Sequence, residues 1–304
     1  MAPLADSLAQ LSSRLGELEG DPAPLAGGIT NRNFRARFGG LDVVIRLPGK
    51  DTGQLEIDRG AERDANACAA RAGVAPEVLA LLKDPPCLVT RFVEGEEMTP
   101  AELRVPVAMK EVAAALRAVH DCEPISAGFS AFRLVELFAE RTRARRAEVP
   151  VAYEQSSVTA GRIETALRTR PHEQVLCHND LLAANFLRSP AGLRIVDWEY
   201  AGMGDRYFDL GNFAVNNGLD EEQEEAFLAA YLGEPARAGQ LAALRLMRFM
   251  SDFREAMWGV LQGALSDLDF DFEAYAAKHF DRLGEAEADP HFAVLLEEAG
   301  GAAG

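Results

Sequence analysis

The chain has no uninterrupted apolar run of the roughly 18 to 20 residues that a membrane-spanning helix needs, so no stable membrane insertion is expected. Its first residues, "MAPLADSLAQLSSRLGELEG", lack a basic start followed by an apolar block. They read as an amphipathic helix, not as a secretory leader. Cysteine is scarce. Cys68, Cys87, Cys122 and Cys177 are scattered with no CxxC pair, which suggests neither a zinc site nor a disulfide framework. A reducing cytoplasm is the simplest setting for such a chain. No internal repeat is evident, and the only compositional bias is toward alanine. Positive charge is also short: 31 basic against 48 acidic residues leave a formal charge of −17. An acidic surface repels nucleic acid and anionic membranes and favours cationic partners. A phosphate ligand would therefore need a positive site built locally.

What is present is enough apolar residue, 48% of 304, to fold unaided. Residues 23–47 contain "NFRARF", a "GGLD" turn and "VVIRL", the signature of a hairpin around a glycine-rich turn. Residues 55–73 read as a helix ending at Gly73, and 75–95 as two short strands around Asp84-Pro85-Pro86. Long helical patterns follow at 100–121, 132–147, 155–169, 221–232 and 236–265, with a polar-rich block at 175–213. The expected fold class is α+β. A small antiparallel-sheet lobe over 1–93 precedes a larger, mainly helical lobe over 94–304, with a joint near 90–95. Sites tend to lie at such joints.

The chemistry is concentrated in "VLCHNDLLAANFLRSPAGLRIVDWE", residues 175–199. A loop aspartate, Asp180, is followed five residues later by Asn185. A hairpin turn at 189–192 then leads to a strand, "LRIVDWE", ending in Asp197 and Glu199, with Trp198 on its other side. An aspartate there can accept a hydroxyl proton, and the asparagine and second aspartate offer hard oxygen ligands suited to magnesium. This is the set of parts that protein kinases use for phosphoryl transfer. That template asks for three more features, in order. A loop over the phosphates fits "GGITNRNF", with Gly28, Thr30 and Asn31. A basic strand residue fits Arg46, the only charge in an apolar strand and costly there unless paired. An acid on the next helix fits Glu62.

Singly, each feature has a plainer reading. Asp180 could cap a turn or helix, Arg46 and Glu62 could be a structural ion pair, and the glycines could form only a tight turn. Joint order and spacing weigh against those readings. His120 reads as a C-terminal helix cap and His172 as an exposed loop residue.

With "VVIRLPG", "HNDLLAANF", "IVDWEYAGMGDRYFDLGN" and "MWGVLQGALSDLDFDFEAYAAKHF" added, the chain resembles the choline/ethanolamine kinase family over roughly residues 24 to 283. That family lies within the aminoglycoside phosphotransferase and protein-kinase-like fold. The resemblance implies a two-lobed enzyme that uses ATP and Mg2+. It makes Asp180 the base on the substrate alcohol. Asn185 and Asp197 become the magnesium ligands, with Glu199 close by. Arg46 would grip the nucleotide phosphates, positioned by Glu62, and the joint around Thr90 and Phe92 would hydrogen-bond the adenine through its backbone. Asp209 would brace the catalytic loop, and His178 would support it.

The implied substrate is a small cationic amino alcohol of the choline or ethanolamine type, held by an aromatic box and acidic neighbours. Trp258 falls on a family aromatic position. Glu255 stands where eukaryotic choline kinases have tryptophan, and Asn216 where they have an acid. Tyr200 and Phe253 could complete the box, as could Trp198 if it is not core. A kinase of aminoglycosides or thiamine, and a nucleotide-binding scaffold without transfer, are the competing readings. The oligomeric state is not legible in the sequence.

Overall fold

A computed structural model describes residues 2–25, 31–49 and 52–301. In chain order the elements begin with α1 (Ala2–Leu15), β1 (Ala23–Leu25), β2 (Asn31–Phe38), β3 (Leu41–Pro48), α2 (Arg59–Arg71), β4 (Val78–Lys83), β5 (Pro86–Arg91) and β6 (Glu96–Glu97). Helices α3 (Pro100–Leu103), α4 (Pro106–His120), α5 (Ala131–Ala144) and α6 (Ala152–Arg168) follow. Then come β7 (Gln174–Cys177), β8 (Phe186–Ser189), β9 (Gly192–Ile195) and β10 (Gly202–Asp205). The chain ends with α7 (Arg206–Asn216), α8 (Glu221–Leu232), α9 (Ala238–Leu265), α10 (Phe272–Ala288) and α11 (Phe292–Gly300). These elements form two compact units. The first comprises Met1–Met98 with Ala184–Tyr200, and the second Thr99–Ala183 with Ala201–Gly304.

The first unit is built on a five-stranded antiparallel sheet in the order β1-β2-β3-β5-β4. The β2–β3 hairpin forms as the alternation requires, with Phe38 opposite Leu41 and two glycines between them. Gly39 and Gly40 have φ of 52° and 81°, the left-handed pair that a tight hairpin turn demands. One face of the sheet is closed by α1, whose Leu11 joins Phe38, Val43, Ile45, Leu47, Leu82 and Val89 in a sealed core. A smaller sheet, β6-β8-β9, ties residues 184–200 to this unit through Glu96 opposite Arg188, and Ile195 N donates to Val74 O at 2.8 Å. Sequence order alone does not reveal that membership.

The second unit is helical apart from the β7–β10 pair. Its centre is the 28-residue α9, against which α5, α7, α10 and α11 pack. Helices α7 and α9 approach closely at Gly211. A Cβ there would lie 2.7 Å from Arg248 N and 2.8 Å from Leu244 O.

Several expectations need correction. The helix read over 100–121 is two helices. Pro106 pushes Val105 into an extended conformation, ψ 134°, which ends the first helix and starts the second. The strand in "LRIVDWE" stops at Ile195, so Asp197 and Glu199 lie beyond it. The polar block 175–213 ends in a helix, α7, whose N-cap Asp205 accepts from Tyr207 N. Asp271 caps α10 in the same way. Among the described residues, no helix is long and apolar enough to cross a membrane.

Candidate active site

The first unit contains a cavity of about 310 Å³ lined by Asn33, Arg46, Glu62, Thr90, Phe92, Asn185 and Asp197 among others. Local folding explains why those residues meet. Arg46 sits on β3 opposite Asn33 on β2, and Glu62 lies in the first turn of α2. The β8–β9 hairpin returns the chain so that Val196 N donates to Asn185 O at 2.9 Å, which puts Asp197 beside Asn185. Asp197 has φ of 66°, a left-handed conformation that few residues other than glycine, asparagine and aspartate hold at low cost.

Arg46 is the electrostatic centre of this cavity. Its Nη1 donates to Glu62 Oε1 at 2.9 Å and to Asp197 Oδ1. Burial alone would lower its pKa. The carboxylates of Asp197, Glu62 and Glu199 outweigh that and hold it above the ordinary guanidinium value. A second arginine, which the sequence reading did not single out, continues the chain of alternating charge. Arg59 Nη1 bonds Glu62 Oε2 at 2.6 Å and Glu199 Oε2 at 3.4 Å, and its Nη2 bonds Asn31 Oδ1 at 2.7 Å. Asn31 Nδ2 in turn donates to Glu199 Oε2 at 2.7 Å. The only signal for Arg59 was its helical i,i+3 spacing from Glu62.

Not every expected residue joins this group. Glu199 is buried in the Asn31–Arg59 cluster and is not among the cavity's lining residues. Phe92 lines the cavity, but its own N–H already donates to Asp42 O at 2.9 Å. Thr90 does line the cavity, from its place on β5 opposite Val44. Gly28 and Thr30 lie outside the described residues. Trp198 is core, with its indole N–H bonded to Ile195 O at 3.0 Å. Tyr200 is buried at the end of the first unit's second segment.

The second unit carries the loop of Asp180. Helix α7 presents Asp209 and Asn212, three residues apart and so on one face, to the backbone of that loop. Asp209 accepts from His178 N at 2.8 Å and Asn179 N at 2.7 Å, and Asn212 Oδ1 from Leu181 N at 2.5 Å. Asp180 N donates to His178 Nδ1 at 3.2 Å. Asn179 is left-handed, φ 67°. His120 does close α4, but its imidazole does not cap the helix. It is buried, with Nε2 3.0 Å from Asp209 Oδ2 and Nδ1 2.8 Å from the Tyr231 hydroxyl. His172 is half-buried and pairs with Asp205 at 2.7 Å.

The expected substrate residues divide. Trp258 stands edge-on to Tyr275, ring centres 5.5 Å apart, and Tyr275 donates its hydroxyl to Glu255 Oε2 at 2.6 Å. Burial and the Glu255 charge hold the Tyr275 phenol well above its usual pKa, so it stays protonated. Tyr275 was overlooked in the sequence because it lies seventeen residues beyond Trp258, on another helix. Phe253 does not join them. It is 0% exposed and surrounded by Tyr153, Phe249 and Phe280, because five residues along a helix turn it away from Trp258. Asn216 closes α7 with a buried side-chain nitrogen, Nδ2, that has no hydrogen-bond partner among the described residues.

The pattern of the family described as "Phosphotransferase enzyme family" matches residues 21–244. The chain belongs to that family. Among solved structures, this phosphotransferase is similar to a choline/ethanolamine kinase family protein from Mesorhizobium loti. The two are 30% identical, the match covers 98% of this chain and 99% of that one, and the TM-score is 0.83. It is 23% identical over 296 residues to "Probable choline kinase 1" of Arabidopsis thaliana, covering 85% of this chain and 84% of the relative. It is 25% identical over 297 residues to "Ethanolamine kinase 1" of Mus musculus, covering 84% and 80%. The α+β, protein-kinase-like fold expected from the sequence is the fold of these neighbours.

Proposed function

We propose that this phosphotransferase moves the γ-phosphoryl group of ATP to the hydroxyl of a small cationic amino alcohol of the choline or ethanolamine type. The observation that carries the reading is the joint lining of one cavity by Arg46, Asn185 and Asp197. A buried, permanently charged guanidinium beside hard oxygen donors suits a nucleotide's phosphates and Mg2+. The oxygen donors fit that ion, since no cysteine or histidine is among the lining residues. Asn185 and Asp197 would hold it, and Mg2+ would supply charge neutralisation of the phosphates. Gly28, Thr30, Asn31, Thr90 and Phe92 would hold the rest of the nucleotide.

In the reaction, the alcohol oxygen bonds to the γ-phosphorus as the bond to the ADP oxygen breaks. The hydroxyl proton passes to the Asp180 carboxylate. Arg46 offsets charge on the phosphates, and Glu62 fixes Arg46 in the right rotamer. Asp209 and Asn212 keep the Asp180 loop rigid, so little reorganisation accompanies the transfer.

The cationic acceptor is supported by three features. Trp258 and Tyr275 form an aromatic pair suited to an ammonium group, Glu255 adds an acid beside them, and the formal charge is −17. A coupled ADP-release assay across choline, ethanolamine, thiamine and kanamycin tests the reading. Release should be fastest with an amino alcohol. Fastest release with kanamycin would replace the substrate class. Tight ATP binding with no release for any acceptor would replace the enzyme with a scaffold.

A further inference from the structure

Arg254 on α9 is among the largest fully buried side chains in the protein, and no step of the proposed reaction uses it. Its side chain is 2% exposed. Placing a charge there costs several kcal/mol unless partners surround it. The partners are specific. Nη2 donates to Asn179 O at 2.8 Å, lies 3.1 Å from Asp180 Oδ1 and 2.7 Å from Glu255 Oε1. The far oxygen of Glu255 takes the Tyr275 hydroxyl at 2.6 Å. A single run of contacts therefore leads from α10 through α9 to the loop aspartate.

We propose that Arg254, with Glu255 as its counter-charge, is a positioning residue for Asp180. The guanidinium holds Oδ1 of Asp180 and the carbonyl before it, which fixes the orientation of the carboxylate that takes the alcohol's proton. Glu255 cancels the cation. Asp180, Arg254 and Glu255 together carry one net negative charge, so a cationic alcohol is attracted to the base and not repelled by the arginine. A bare arginine at this position would fix the base and drive the substrate away. The inference rests on the reading of Asp180 as the base.

Other charged or titratable groups face this assembly and bear on its pH behaviour. His178 touches Asp180 from the loop, Asp209 holds the loop from α7, and Tyr275 faces Glu255 from α10.

The test is the pH profile of kcat/KM for the amino alcohol in the full-length enzyme. Arg254→Met removes the cation, so Asp180 ionises at higher pH. The acid limb should move up by roughly one unit, and kcat should fall by about a hundredfold. Arg254→Lys keeps the charge, and should restore the limb and part of kcat. Glu255→Gln leaves the cation uncancelled. The limb should then move down and KM for the cationic alcohol should rise, while KM for ATP stays the same. If Arg254→Met does not fold, Glu255→Gln decides the matter alone. Limbs that stay in place, with activity lost only in proportion to thermal stability, overturn the proposal and make Arg254 a structural ion pair. An Asp180→Asn enzyme with full turnover overturns both this inference and the reading beneath it. An inactive Asp180→Asn, together with unmoved limbs in the Arg254 and Glu255 variants, overturns this inference only.

Discussion

Asp209 and Asn179 are joined by a 2.7 Å hydrogen bond from the Asn179 amide to Asp209 Oδ1, in a region with no exposure to water. The second carboxylate oxygen takes the His178 amide at 2.8 Å and His120 at 3.0 Å. Asp209→Asn replaces one acceptor with a donor facing a donor. It should cost about 2–3 kcal/mol of stability and lower kcat by at least about tenfold, with nucleotide affinity unchanged. Thermal denaturation and nucleotide titration check this together.

Arg46 and Asp197 should separate in a binding experiment. Arg46→Met should weaken nucleotide binding by about 2 kcal/mol, roughly thirtyfold in Kd, both with and without magnesium. Asp197→Ala should abolish only the magnesium-dependent part. Isothermal titration of each variant with and without the ion gives the comparison.

Gly211 permits the contact between α7 and α9, and α7 holds the catalytic loop. Gly211→Ala places a methyl against backbone atoms of α9 that cannot yield. It should destabilise the protein by about 1–3 kcal/mol and also reduce kcat. Calorimetry and steady-state rates on the same preparation test that coupling.

The candidate residues Asp180, Asn185 and Asp197 stand out in the sequence because the loop, the hairpin turn and the strand follow one another at fixed spacings in one stretch of chain. Arg46 stood out as a lone charge among valines and isoleucine, and its pairing with Glu62 is present. What escaped notice depends on contacts between distant segments. Arg59 has a local signal only in its spacing from Glu62, and Arg59, Arg254 and Tyr275 all gain their decisive contacts from distant residues: Asn31 and Glu199 for Arg59, Asp180 for Arg254 and Glu255 for Tyr275. Phe253 was misjudged for a related reason. The sequence gives its residue type and its helix, but the rings of Tyr153 and Phe280 that bury it lie about 100 and 27 residues away. Helix α7 is hard to read because two polar residues among its buried positions, Asp209 and Asn212, serve the loop and interrupt the apolar periodicity.

Alkaline pH should weaken the first unit through Cys87. Burial pushes this thiol from an ordinary value of 9.0 up to about 12, with Glu62 adding to the shift. The unfolded chain ionises this thiol first, so the stability due to neutral Cys87 is intact below pH 9 and is lost between pH 9 and about 12. Cys87→Ala should show a shallower decline in melting temperature across that window. Some slope should remain, because burial raises Cys177 in the same direction.

The most direct test of the account is Asp180→Asn, with phosphoryl transfer and ATP binding measured on one preparation. The substitution keeps the shape of the side chain and removes its basicity. The account predicts that transfer to the amino alcohol falls by about a hundred- to ten-thousandfold, while ATP binds as it does to the unaltered enzyme. An Asp180→Asn protein that keeps most of its turnover would contradict it.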